Sequence, residues 1–265
     1  HDGLYRIVAF LTGSKNALKG AGFFIGALFL SLFEFQGAVT VMVVMLTVVW
    51  VLSLLLLRQE LGVMKNKPKF NQIFSKSSAV NWLSLARFFL FGARDIWFVI
   101  GLPVFLHRTL EWDFWQVGGY LASWIIIYGF IQAIAPLLTG KNKTPEAVCT
   151  QLLMFGGLLA LIPAGIAIAL TYDFSVVYVV TIGLLLFALL FAMNSALHSY
   201  LIVHFARSDG ASLDIGFYYM ANAGGRLAGT VASGALFQVF GLDACLWVSA
   251  LMIAFASITA LSLPQ

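Results

Sequence analysis

An arginine and an aspartate, Arg94 and Asp95, stand in the middle of the apolar stretch FFLFGARDIWFVIGLPVFL, residues 88–106. Each such charge costs roughly 2.5–3.5 kcal/mol at the centre of a membrane helix, so an ionisable residue there needs a compensating role. Four more bases lie in or beside apolar stretches: Lys15, Lys19, Arg87 and Arg226. Arginine presents a planar fork that donates two parallel hydrogen bonds to a phosphate or arsenate. The chemistry on offer is capture of a multiply charged oxyanion.

Spacing groups these residues. At about 1.5 Å per residue, Arg94 lies about 18–22 Å from either end of its helix, near the membrane midplane. Arg87, seven residues earlier, shares its face. Arg226 extends the i, i+4 stripe Tyr218, Asn222, and Lys15 and Lys19 form a similar stripe. Neighbours in a helix do not face each other, so Asp95 is expected to reach another helix rather than pair with Arg94. A purely structural ion pair is the competing reading of Arg94. Lys15 and Arg87 can equally snorkel to headgroups. Tyr120, Trp124, Tyr128 and Gln132, spaced by four, either line a cavity with polar tips or serve helix packing. His198, four residues after Asn194, either relays protons near neutral pH or is a hydrogen-bonded structural histidine. Asp95 and His198 are the candidates for proton coupling. Gly22-x-x-x-Gly26 and Gly225-x-x-x-Gly229 read as close helix contacts.

Other chemistries find no support. There is no His-Glu-x-x-His, no pair of intramembrane carboxylates and no Cys/His cluster, so neither an enzyme, a bound metal nor a cofactor is expected. The charges lie mostly between apolar blocks, where orientation in a membrane accounts for them without nucleic acid. Cys149 and Cys245 form no disulfide framework or zinc motif. They start spans expected to face lipid and lie on opposite sides of the membrane.

The elements that must position these residues are membrane helices. The chain is 61% hydrophobic and 10% charged, against about a quarter charged in soluble domains. Its apolar blocks suit α-helical spans and are too continuous for barrel strands. Spans are predicted at 12–33, 37–57, 79–106, 115–138, 146–170, 176–205, 214–239 and 243–263. The polar segment 58–81, with Arg58, Lys65, Lys67, Lys69 and Lys76 against Glu60, is the boundary between two bundles. The positive-inside rule places it in the cytoplasm. Alternation places Lys141, Lys143, Arg207 and both chain ends there too. The opposite loops hold Arg108 beside Glu34, Glu111, Asp113, Asp173 and Asp243.

A repeat runs through this arrangement. KGAGFFIGALF (19–29) is similar to RLAGTVASGALF (226–237), each with a base, small residues, then Gly-Ala-Leu-Phe. Parallel repeats mark transporters built from two related bundles. Every third span, 37–57, 146–170 and 243–263, has no charge in its interior, as expected of peripheral helices.

Two bundles, a cytoplasmic linker and peripheral third helices resemble the major facilitator superfamily. LTGSKNALKGAGFF (11–24), NWLSLARFFLFGARDIWFVIGLPVFL (81–106) and GFYYMANAGGRLAGT (216–230) resemble its organoarsenical efflux permease (ArsJ) branch. The resemblance implies an all-α helical bundle of which the chain holds the last eight of twelve helices. Residues 1–57 would end the N-terminal bundle, 58–78 form the linker and 79–265 the C-terminal bundle. It also implies an inner-membrane antiporter that exports 1-arseno-3-phosphoglycerate, made by a partner glyceraldehyde-3-phosphate dehydrogenase from arsenate. A general organophosphate, organic-anion or drug efflux carrier is the alternative. TGKNKTPE (139–146) departs from the superfamily's Gly-x-x-x-Asp-Arg-like gating motif.

Overall fold

The computed structural model describes residues 2–56, 75, 77–139, 144–172, 174–207 and 210–264. The linker 58–74, Lys76, Lys141, Lys143 and Asp173 lie outside the described residues. The described residues form seven helices in order: α1 (Asp2–Leu56), α2 (Ser78–Phe98), α3 (Gly101–Arg108), α4 (Phe114–Thr139), α5 (Pro145–Ala169), α6 (Val176–Phe205) and α7 (Ala211–Ala260). The described residues contain no strand. Among the described residues, six helical segments, with α2 and α3 taken together, are long and apolar enough to cross a membrane. Such a chain fits a multi-pass helical membrane protein.

Two of these helices contain a backbone break. Glu34 leaves helical geometry at φ 57°, ψ −174°, and Gly241 does so at φ 77°, ψ −168°. Glycine tolerates a positive φ because it lacks Cβ; for Glu34 the same conformation is strained. Both breaks fall in the short gaps expected between neighbouring spans, 34–36 and 240–242.

The expected span 79–106 is interrupted, which corrects its reading as one continuous helix. Residues 99–100 separate α2 from α3. Pro103 has no N–H, and its ring crowds the carbonyl four residues back, at Val99. The amide of Gly101 instead donates to Ser233 Oγ on α7 at 3.0 Å. A neighbouring helix thus satisfies a backbone group that lipid would leave bare.

Packing follows the small residues. α2 runs along α7, α1 along α4, and α5 against α6 and α7. A Cβ on Gly225 would overlap the Phe88 carbonyl, and one on Gly229 the Gly92 carbonyl, so this pair does bring two backbones together. Gly22 and Gly26 have open space instead. On α1 the close approach belongs to Gly20, where a Cβ would lie 2.9 Å from the Ala122 carbonyl. The core between α2, α4 and α6 is aromatic: Trp97, Trp124, Phe187 and Phe191 are fully buried. Beyond Glu34, α1 exposes nearly every apolar side chain, including Leu46, Trp50 and Leu54. The hydroxyls of Thr40, Thr47 and Ser53 bond to the helix's own carbonyls, and a helix apolar nearly all round suits an apolar solvent.

At the end of the bundle where α2 starts, Asp214 is completely buried and collects four donors. Ser75 Oγ donates at 2.6 Å, and Arg207 donates through its backbone N at 3.1 Å, Nε at 3.0 Å and an Nη at 3.3 Å. This network ties the residues preceding α2 to the α6–α7 turn.

Candidate functional site

α2 and α7 together carry the three arginines, and α1 carries Lys15 and Lys19. Their contact at Gly225 and Gly229 brings Arg226 of α7 opposite Asp95 of α2. Asp95 is completely buried and accepts from two arginines on different helices. Arg94 Nε donates to Oδ1 at 2.7 Å, and Arg226 Nε donates to Oδ2 at 2.8 Å. Asp95 therefore reaches a neighbouring helix, as expected. It also bonds its own neighbour Arg94, against expectation. Arginine is long enough to fold its guanidinium back past the roughly 100° between adjacent helical positions.

About two turns away along α2, Arg87 is also buried. Its Nε donates to Asn222 Oδ1 at 3.1 Å, and an Nη reaches Ser195 Oγ at 3.1 Å and the Ser195 carbonyl at 3.3 Å. Tyr128 and Gln132 of α4 donate to the same Ser195 Oγ at 3.3 and 3.2 Å. The Phe91 ring lies between the two arginines, 3.9 Å from the Arg87 guanidinium and 5.0 Å from that of Arg94. Tyr218 sits under Arg87 at 5.2 Å. Such cation–π contacts hold a guanidinium without neutralising it.

Beside these groups lies a cavity of about 180 Å³. Arg87, Arg94, Arg226, Lys15 and Lys19 all line it, with Asn222, Tyr128 and Tyr219. Five bases predicted from three separate stretches of sequence thus converge on one space, and Asp95 pairs with two of them, Arg94 and Arg226. Among the described residues, Arg87, Lys15 and Lys19 have no ion-pair partner. The site carries an excess of positive charge that its own residues leave uncompensated.

A larger cavity, about 860 Å³, shares Lys19 and Arg226 with the first. Its remaining walls are largely apolar, including Phe23, Leu30, Val104, Val117 and Leu121, with His107 and Arg108 also in the lining. Gly22 and Gly26 line it as well. Their missing side chains keep this space open, which corrects their reading as a helix contact. Lys19 and Arg226, equivalent positions in the sequence repeat, stand together where the two cavities meet.

The other candidates distribute differently. Tyr218 is buried behind Arg87, and Gln132 is buried behind Ser195, so both back the cavity wall. Tyr120 and Trp124 donate to the Thr181 and Leu184 carbonyls at 3.0 and 2.7 Å. The stripe of four residues therefore ties α4 to α6, and only Tyr128 lines the small cavity. His198 is buried beside Asn194 at a separate cavity of about 10 Å³, roughly one water in size. His198 Nδ1 and Asn194 Oδ1 have no hydrogen-bond partner among the described residues. Cys149 and Cys245 are buried rather than lipid-facing. Their thiols approach the Pro264 and Ser233 carbonyls, each at 3.9 Å.

Ser195, Phe91 and Tyr219 were not expected at the site. Phe91 was readable, since Arg87, Phe91 and Arg94 at i, i+4 and i+7 share one helical face. Ser195 gave no such signal, because its role depends on three donors from two other helices. No protein-family model matches the chain, and no curated protein matches it.

Proposed function

We propose that this chain forms part of a secondary transporter that exports a phosphorylated organic anion. The observation that carries the reading is the cavity of about 180 Å³ lined by Arg87, Arg94, Arg226, Lys15 and Lys19, of which, among the described residues, only Arg94 and Arg226 pair with a carboxylate, Asp95. Arg87 and Arg94 are buried, Arg226 is half-buried and Lys15 and Lys19 are exposed at the cavity. Bases within apolar spans persist when paired or functional, and this excess suits an anion carrying more than one negative charge. The volume is below the roughly 300–1,000 Å³ of sites for drug-sized ligands, which favours a small polyanion. Arginine forks match phosphate and arsenate oxygens.

The finer reading rests on the resemblance drawn from the sequence. The chain is proposed as the last eight helices of a major facilitator superfamily carrier, in the inner membrane with both ends cytoplasmic. The breaks at Glu34 and Gly241 support eight crossings, because the pieces beyond them, 35–56 and 242–260, are each about 30 Å long at 1.5 Å per residue. The proposed substrate is 1-arseno-3-phosphoglycerate, supplied by a glyceraldehyde-3-phosphate dehydrogenase acting on arsenate.

The apolar cavity of about 860 Å³ favours a second reading, a carrier for larger organic anions or drugs. Cells expressing the full-length carrier together with the dehydrogenase separate the two. The first reading expects resistance to arsenate, dependent on the dehydrogenase, and no resistance to arsenite. Equal protection against arsenite, or protection without the dehydrogenase, removes the arsenical assignment.

A further inference from the structure

Among the described residues, one carboxylate contacts the bases of the small cavity, and it holds two of the groups an incoming anion needs. Asp95 is completely buried, and each of its oxygens accepts from a different arginine, Oδ1 from Arg94 and Oδ2 from Arg226. These are the interactions a phosphate would make if it bridged α2 and α7. Arg226 commits its Nε to Asp95 while its side chain stays 43% exposed. It also lines both cavities, so an anion can approach it from either side. Arg87 meets its neighbours through neutral acceptors, Asn222 and Ser195, and competes for no carboxylate.

We propose that Asp95 is a resident counter-anion, which holds Arg94 and Arg226 when the site is empty and is displaced from at least one of them when substrate binds. The inference rests on the anion-binding reading of this cavity and adds a role for the carboxylate within it. Two consequences follow. Apparent affinity is reduced by the fraction of time the arginines are engaged with Asp95, so the carboxylate weakens binding and lets the anion leave. It also compensates buried positive charge between substrates, because removing one partner of a buried pair leaves the other uncompensated. Asp95 is thus a positioning residue that keeps a strongly cationic site from becoming a trap.

The test uses the purified full-length carrier with 3-phosphoglycerate as probe, measuring binding together with the thermal midpoint at rising probe concentration. Asp95→Asn should bind the probe on the order of tenfold more tightly than the parent, as expected when a competitor occupies nine-tenths of the site. Its melting temperature should be lower without probe and should close on the parental value as the probe saturates. The affinity gain should vanish when Arg94 and Arg226 are both replaced by Gln, whereas a general field effect of the lost charge would survive. If Asp95→Asn does not fold, Arg94→Gln with Asp95→Asn removes one charge of each sign. That pair must bind more tightly than Arg94→Gln alone. Parental binding with unchanged or weaker binding in the Asp95 variants overturns this proposal and leaves the anion site standing. Absence of probe binding to the parent removes both.

Discussion

Arg94 and Arg226 share one carboxylate, yet they differ in setting. The Arg94 side chain is 8% exposed and lies within 5.5 Å of the rings of Phe91 and Phe191, whereas that of Arg226 is 43% exposed at the junction of two cavities. Both use the Nε edge of the guanidinium, which fixes the plane of the fork. Lysine keeps the charge but not the plane. Arg94→Lys and Arg226→Lys are therefore expected to reach the membrane in parental amounts and to lose at least about tenfold in transport, the worth of one charge-assisted hydrogen bond. Lys variants that transport at the parental rate would reduce both residues to carriers of charge. The residues themselves were legible in the sequence because a base in an apolar span is costly and therefore conspicuous. Their pairing was not. Helical geometry separates neighbouring positions, and whether a flexible arginine folds back across that angle depends on what else surrounds it.

The contact between α2 and α7 sets the distance from Asp95 to Arg226, and two glycines set that contact. Their carbonyl partners are backbone atoms of Phe88 and Gly92, which cannot rotate away as a side chain could. Gly225→Ala and Gly229→Ala should each lower stability by about 1–3 kcal/mol, the usual cost of overpacking, and weaken anion binding as α7 is pushed from α2. Gly22→Ala makes the contrast. It faces open space, and alanine favours a helix over glycine by about 1 kcal/mol. Its thermal midpoint should equal or exceed the parent's. Equal losses at Gly22 and Gly225 would contradict the distinction. The two Gly-x-x-x-Gly motifs look alike in the sequence, because spacing records only that a stripe of small residues exists. It does not record whether a helix or a void lies opposite. The interruption at 99–100 was similarly hidden, since a proline inside an apolar run is compatible with either a kink or a break until Ser233 appears beside Gly101.

At the scale of the molecule, helical class and candidate membrane spans followed from apolar runs that leave few alternatives. The convergence of five bases did not, because it depends on how three segments far apart in sequence pack. The sequence repeat supplied one link, pairing Lys19 with Arg226, and the structure sets both against the same two cavities. The account requires that a polyanion cross through this cationic space, in oxyanion form and without thiol chemistry. The most direct measurement is uptake into inside-out membrane vesicles holding the full-length carrier. Labelled glyceraldehyde 3-phosphate, the dehydrogenase, its nicotinamide cofactor and arsenate are supplied outside. Label should accumulate only when dehydrogenase and arsenate are both present, should fall to background in Arg226→Gln, and should be unchanged when Cys149 and Cys245 are both replaced by serine. Uptake that persists in Arg226→Gln, or that disappears with the two cysteines while the protein remains in the membrane, would contradict it.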